Sequence, residues 1–504
     1  MQEKEPIQSP HPNPLLEGEG ERLAWLIAIV AAAFVYHPIT RNYFYGDDFL
    51  NLYRIENAGV LEYLLTPHGG HALVVRNALF YLCARAFGTE PAPYFSVVLV
   101  THLLNVSLLF LVIRRLTDSA RLACFGTVLW GTSPIHEGAL GWYSVYGHIV
   151  TATALLLALA LITRRAATPS RGVLRTCYGL ALLAVMSFGV GIGLAMALPF
   201  AVAWLAPALP GQAKRRMPLM SLFVVAPLLY LGLFWLNGLW FSEGLETPGI
   251  LTKVALQLWA SIPSNLLHLI AYGLVRLVLG FAFDPALYAD WMSYAVIGGL
   301  TFWGLIVAWR SPGQIRRALA ACTALALGCY GMIILGRVAF FNAYSTSVMA
   351  IQPRYHYAGL IPLTIVLCLL LNHFGTARPL GPMVKTVLLL AWLGLNAVVY
   401  NRLGFPIDHH REAKEQTRDV LATIQSRIDA QSPGEDVYIP NRSFIAFRGL
   451  APPTHFPGWA AVFVIFYPDN TVDGRRVYFA DKNLDVIDAS AKGKRTAGLL
   501  VPPR

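Results

Sequence analysis

Charge is scarce in this sequence. Asp, Glu, Lys and Arg make up 13% of its 504 residues, while 56% are hydrophobic. A soluble domain carries about 25% charged residues, so an ordinary soluble fold is excluded. The composition is that of an α-helical protein crossing a bilayer many times. Cysteine is scarce too. The six cysteines (Cys83, Cys124, Cys177, Cys322, Cys329, Cys368) all fall in or beside apolar segments, with no Cys-x-x-Cys or Cys/His metal spacing. That argues against a disulfide framework, and we read them as small apolar residues. A cleavable signal peptide is also missing. Residues 1–22 are polar and carry Pro6, Pro10, Pro12 and Pro14, and the apolar run Leu23 to Tyr36 lacks a small-residue cleavage site. The first stretch is expected to be a disordered tail and the second a retained first span.

A helix needs about 20 apolar residues to cross the hydrocarbon core. Hydropathy places spans near 23–38, 94–113, 120–136, 144–163, 174–188, 190–208, 218–240, 292–309, 318–336, 356–372 and 384–401, about eleven in all. Lys and Arg exceed Asp and Glu, 39 to 28. Their excess sits in short alternate loops, which argues against a nucleic-acid partner. These loops hold Arg114, Arg115 and Arg121; Arg164, Arg165, Arg171 and Arg175; Lys214, Arg215 and Arg216; Arg310, Arg316 and Arg317; and Arg378 and Lys385, with Asp118 their only acid. Basic loops stay cytoplasmic. The N-terminus is therefore expected inside, and the loop after the first span outside. Residues 249–283 are expected to form interfacial or re-entrant helices, because a single crossing there would put Arg310, Arg316 and Arg317 outside; a pair of crossings would also preserve the orientation.

Residues 402–504 form a separate region, expected to be a small external α/β domain. Val420, Ile424 and Ile428 share one face of an amphipathic helix. Val437–Ile439, Ala461–Tyr467 and Val477–Ala480 read as strands between turn residues. Asn441-Arg442-Ser443 has the spacing of a glycosylation acceptor, a common chance match.

Chemistry concentrates in three places, all on the expected outer face. The first is Asp47-Asp48 in the long loop 39–93, which also holds His68, His71, Arg76 and Arg85. An ionised carboxylate there suits a general base toward an acceptor hydroxyl or amine. A carboxylate pair also suits a divalent cation, or simply the N-terminus of a helix beginning near Phe49. The second place is Ser133-Pro134-Ile135-His136-Glu137-Gly138-Ala139, followed by Gly147-His148. The third is Pro353-Arg354-Tyr355-His356-Tyr357, where an arginine at a span end suits a bidentate phosphate contact. His102 and Asn105 lie within a span, where they satisfy intramembrane hydrogen bonds or, for His102, face a cavity. The Gly189-x-Gly191-x-Gly193 run suits close helix packing rather than nucleotide binding.

Together these clusters resemble the GT-C superfamily of multispan glycosyltransferases, in particular its protein O-mannosyltransferase-like and bacterial lipid A sugar-transferase-like members. Asp47-Asp48 is similar to the acidic pair of that family's first outer loop. Residues 67–116 are similar to its His…Arg segment and the following span. Pro134-Ile135-His136-Glu137-Gly138-Ala139 resembles a Pro-x-His-x-Glu-Ala stretch, and Arg354-Tyr355-His356-Tyr357 an Arg-x-Leu-Tyr segment. The sequence departs from the family at Ser187-Phe188-Gly189, where Ser-Lys-Glu is common, and at Pro353, where an acid is common.

The resemblance implies a GT-C fold in a bacterial inner membrane and a polyprenyl-phosphate-linked sugar donor. It implies an extracytoplasmic glycan, lipid or protein acceptor and transfer with inversion. Asp47 would act as base with Asp48 in support. His71, Arg76, His102, His136, Glu137, His148, Arg354 and Tyr355 would bind substrate. No cofactor is required; a divalent cation, if used, falls to Asp47 and Asp48. The competing readings are a transporter or flippase of a lipid-linked or anionic substrate, and a silent scaffold of the same fold.

Overall fold

A computed structural model describes residues 14–68, 71–164, 170–206, 217–241, 259–343, 352–377 and 408–430, with shorter pieces elsewhere. The chain is predominantly helical. Helix α1 (Pro14–Tyr36) leads through a 3₁₀ turn to three short helices, α2 (Asp47–Asn57), α3 (Val60–Leu65) and α4 (Val74–Phe87). Then come α5 (Pro91–Thr117), α6 (Ala120–Gly131), the single turn α7 (Glu137–Leu140), α8 (Gly147–Ile162), α9 (Arg171–Ser187) and α10 (Val190–Leu205). The series continues with the single turn α11 (Met217–Met220), α12 (Leu222–Phe241), α13 (Ile262–Leu279), α14 (Asp290–Arg310), α15 (Gly313–Ala343) and α16 (Leu360–Ala377).

Local chemistry sets several boundaries. The Ser119 and Ser170 side chains cap α6 and α9 by accepting the N–H groups of Leu122 and Val173, each at 3.2 Å. Pro91 opens α5, where its missing N–H costs nothing. Helix α1 begins at Pro14, well before the apolar run, so residues 14–22 are helical instead of a disordered tail. Glu21 pairs with Arg114 at 3.4 Å.

Among the described residues, seven helices are long and apolar enough to cross a membrane. Val190–Leu205 and Leu360–His373 are shorter apolar helices. Each expected span up to 356–372 coincides with a helix. The span at 384–401 lies largely outside the described residues, although Trp392, Gly394 and Asn396 are helical.

The bundle has two chemically different ends. At one, Glu21 meets Arg114, Arg115 donates to the Ala160 carbonyl, Asn372 donates to the Thr117 carbonyl at 3.3 Å, and Ser311 meets His373 at 3.0 Å. Arg114 and Arg115, of the first basic loop, stand there. The opposite end carries α2–α4, residues 133–148, the α9–α10 junction and residues 352–357. Reporter fusions after Arg165, Arg216 and Arg317 should report cytoplasm, and one after Arg402 the exterior. A cytoplasmic signal after Arg402 would place the acidic pair on the wrong face.

Helix α13 tests the reading of residues 249–283. Trp259–Ala282 is long and apolar enough to span. Its contacts tie it to α14, to the segment before α16 and to Asn396. His268 meets Ser293, in the first turn of α14, at 2.6 Å. The Tyr272 ring lies 5.7 Å from His356, just before α16. Past its C-terminus, the Phe281 N–H donates to Asn396 at 2.5 Å. Residues 242–258 lie outside the described residues.

In the C-terminal region, α17 (Asp408–Asp429) buries Leu421, Ile424 and Ile428. Strand β1 (Val437–Pro440) pairs in parallel with β3 (Arg475–Ala480), which also pairs antiparallel with β2 (Thr471–Val472) and β4 (Val486–Ile487). Among the described residues of the strand expected over 461–467, none is extended. Phe463 and Phe466 are helical, and the Tyr467 N–H donates to the Phe463 carbonyl at 2.8 Å. A short unbroken apolar run has no period to separate helix from strand. The Phe466 ring lies 6.4 Å from Phe49 on α2, docking this region beside the acidic pair.

Candidate active site

Gly46, at φ 51°, turns the chain into α2 and makes Asp47 and Asp48 its first two residues. Successive helical side chains diverge by about 100°, and the two carboxylates meet different surroundings. Asp48 is fully buried. Its Oδ1 accepts the Ser144 N–H at 2.7 Å and the Ser144 hydroxyl at 2.5 Å, and its Oδ2 accepts the Tyr45 N–H at 3.1 Å. It staples the α2 turn to the 142–146 segment. Burial pushes its carboxyl up to about 7, against these hydrogen bonds, and neighbouring Asp47 adds to the rise.

Asp47 faces the other way. Its Oδ2 lies 3.0 Å from His68 Nε2, and its buried Oδ1 has no hydrogen-bond partner among the described residues. Burial works to raise its pKa. His68, Arg76 and Arg354 outweigh that and hold it below the usual carboxylate range. Asp47 is thus an ionised carboxylate with one oxygen unspent.

Asn51, one turn later, holds this arrangement. Its amide donates to the Asp47 carbonyl at 2.6 Å and to Ser144 Oγ at 3.2 Å. Its Oδ1 accepts Tyr63 OH at 3.2 Å and Arg76 Nη1 at 2.5 Å. Arg76 is fully buried, and its Nε and Nη2 have no hydrogen-bond partner among the described residues.

His68 and His71 exchange backbone hydrogen bonds at 2.9 and 3.0 Å. This turn aims His68 at Asp47 and His71 at the far wall. There Arg337, on α15, meets His71 Nε2 at 2.8 Å, and Tyr230 OH lies 3.3 Å from Nδ1. Burial first, then Arg337, hold His71 well below its ordinary pKa, so it is neutral. The Phe188 ring lies 4.5 Å from His71 and 3.8 Å from His148, whose buried Nε2 has no partner among the described residues. Arg354 stands over the rings of Trp142 at 5.6 Å and Tyr355 at 5.1 Å. Gly138 permits that approach, since a Cβ there would lie 3.0 Å from the Arg354 nitrogen.

The family departure at Ser187-Phe188-Gly189 falls inside this cluster. A Cβ on Gly189 would lie 2.8 Å from His71 Nδ1. His71 occupies the space a side chain at 189 would need.

The structure therefore gathers Asp47, Asp48, His71, Arg76, His148, Arg354 and Tyr355 at one end of the bundle. Of the other three expected binding residues, only His102 is fully engaged. Both ring nitrogens of His102 are engaged, by Tyr357 OH at 2.8 Å and the Gly131 carbonyl at 3.0 Å, leaving nothing for a ligand. His136 packs within rings, 4.7 Å from Trp130 and 4.8 Å from Tyr357. Glu137 acts electrostatically on Tyr36, Tyr272 and Arg276, away from the acidic pair. Sequence reading missed Asn51, Trp142, Ser144 and Arg337. Arg337 carried a signal, as an ionisable residue at the end of a long apolar run. Asn51 carried a weaker one, the one-turn spacing from Asp47.

The residues do not fit a cation shared by the acidic pair. Asp48 already accepts three donors, so only Asp47 offers an open oxygen, and its nearest neighbours are cationic or histidine. Among the described residues, no group of three or more His, Cys, Asp or Glu is placed to hold a metal.

Asp48 makes a pH prediction. Its carboxyl rises from an ordinary 3.8 to about 7 on folding. Between those values the folded state keeps a proton that the unfolded state has lost, so stability falls as pH rises through that window. The full penalty is about 4 kcal/mol. Thermal unfolding of purified protein should show this slope, and Asp48→Asn should flatten it whatever its baseline. An unchanged slope in Asp48→Asn would remove Asp48 as its source.

No protein-family model matches the chain, and no curated protein matches it. Among solved structures it is similar to ArnT from Cupriavidus metallidurans bound to undecaprenyl phosphate, at 13% identity. The match covers 93% of this chain and 86% of that one, with a TM-score of 0.35. So distant a likeness assigns no activity.

Proposed function

We propose that this chain is a GT-C-type membrane glycosyltransferase. It moves a sugar from a polyprenyl-phosphate donor to an acceptor outside the cytoplasm, in a bacterial inner membrane. The observation that carries this reading is Asp47: a half-buried, ionised carboxylate whose buried Oδ1 is unspent among the described residues, within the electrostatic reach of Arg76 and Arg354. Burying a charge is costly unless a partner or a task requires it.

The chemistry follows from the placement. An acceptor hydroxyl or amine gives its proton to Asp47 Oδ1 as its heteroatom attacks the anomeric carbon. The bond from that carbon to the phosphate oxygen breaks, and its electron pair leaves with the phosphate. Arg354 and Arg337 stand on the departing side, where their guanidinium groups hold phosphate charge. Attack opposite the leaving group inverts the anomeric centre. Since phosphate already leaves as an anion, no general acid is needed.

The test uses purified full-length protein in lipid nanodiscs. It is given undecaprenyl-phosphate-linked glucose, mannose or arabinose with extracted envelope glycans, lipids and proteins. Release of undecaprenyl phosphate together with a glycosylated acceptor supports the reading. Absence of turnover with every donor, together with an unchanged envelope composition by mass spectrometry when the gene is deleted, refutes it.

A further inference from the structure

The mechanism above gives no work to Trp142, yet the structure places it beside every part of the reaction. It lies between Gly141 and Tyr143, two residues before Ser144, which is bonded twice to Asp48. Its backbone is therefore fixed to the loop that carries the base. Tyr45, two residues before Asp47, meets the Trp142 ring edge to face at 6.1 Å. Arg354 lies over the same indole at 5.6 Å. The indole thus spans the interval from the acidic turn to the guanidinium on the leaving-group side, where a transferred sugar must sit.

Trp142 is also only partly buried, while its indole N–H is buried and unpartnered among the described residues. A buried donor without an acceptor is costly, and a tryptophan N–H normally finds one. Other unspent polar atoms lie nearby, at Asp47 Oδ1, Arg76 Nη2 and His148 Nε2. A pyranose or furanose offers what this wall lacks: C–H faces for the ring and hydroxyl acceptors for the N–H.

Resting on the proposed function, we propose that Trp142 is the specificity-determining residue for the transferred sugar. Its ring packs against the sugar and its indole N–H donates to a sugar hydroxyl. Arg354 binds the phosphate, so sugar recognition and phosphate recognition are separable at neighbouring residues.

Binding to full-length protein in nanodiscs separates them. The probes are undecaprenyl phosphate and undecaprenyl phosphate carrying glucose, mannose or arabinose. The wild type should prefer at least one sugar-linked form to the bare lipid phosphate. Trp142→Phe keeps an aromatic face for Arg354 and removes the N–H. It should weaken the preferred sugar-linked form about five- to tenfold and leave bare undecaprenyl phosphate within about twofold. A merely structural tryptophan would weaken both probes together, which overturns the inference. So does a sugar preference retained in Trp142→Phe, or no sugar preference in a wild type that still binds the bare phosphate. A wild type that binds none of the probes sinks the proposed function as well.

Discussion

Asp47→Asn should lower sugar transfer by about 10²–10⁴-fold, the usual loss on removing a general base. The substitution keeps the side chain's shape and leaves the backbone bonds of the α2 turn in place. Protein insertion and binding of undecaprenyl phosphate should therefore change little. Asp48→Asn should be milder on turnover. Its Oδ1 still accepts from Ser144, but its amide would face the Tyr45 N–H, donor against donor, so the loss falls on stability. The neighbours of Asp47 also fix the pH dependence. They hold its pKa below the usual carboxylate range, so the base stays ionised at neutral pH, and its protonation limits activity only well into the acid range. Initial rates on purified variants decide the matter. Wild-type turnover in Asp47→Asn would exclude the role, and a greater loss in Asp48→Asn would transfer it there.

The helical architecture was legible because bilayer crossing leaves a coarse signal. Runs such as 94–113 and 318–336 need only apolar length, and basic loops need only their side of the bundle. The acidic pair was legible for the opposite reason, as charge that the surrounding composition discourages. What the pair does was not legible. Asp47 and Asp48 are adjacent and chemically identical in sequence. Their difference comes from Ser144, which reaches one carboxylate, and His68, which reaches the other. Both are long-range or loop contacts without periodicity.

The same limit explains the residues that were misplaced or missed. His102 reads as a polar group within a span and His148 as part of an outer-face cluster. Only packing shows that Tyr357 and Gly131 use both nitrogens of the first, while one nitrogen of the second stays open. Trp142 was not singled out in the sequence; only packing brings Tyr45 and Arg354 onto it. The run 461–467 failed for a local reason, since continuous apolar residues fit a buried helical turn as well as a strand.

Arg354 carries the last large effect. Its guanidinium offers two parallel N–H bonds to a phosphate, while the Trp142 and Tyr355 rings hold its plane in place. Arg354→Ala should weaken undecaprenyl phosphate binding by about 10- to 100-fold, the worth of a lost charge-assisted hydrogen bond. Arg354→Lys should recover only part of that, because an ammonium point charge replaces neither the fork nor the stacking. Arg337→Ala is expected to act on the same phosphate and also to release His71. If both guanidinium groups grip one phosphate, the double variant should lose less than the product of the single losses, because the second removal acts on a site already opened. Titration of the four proteins with undecaprenyl phosphate in nanodiscs measures this coupling. Strictly multiplicative losses would assign the two arginines to separate sites, and unchanged affinity in Arg354→Ala would remove Arg354 from the phosphate altogether.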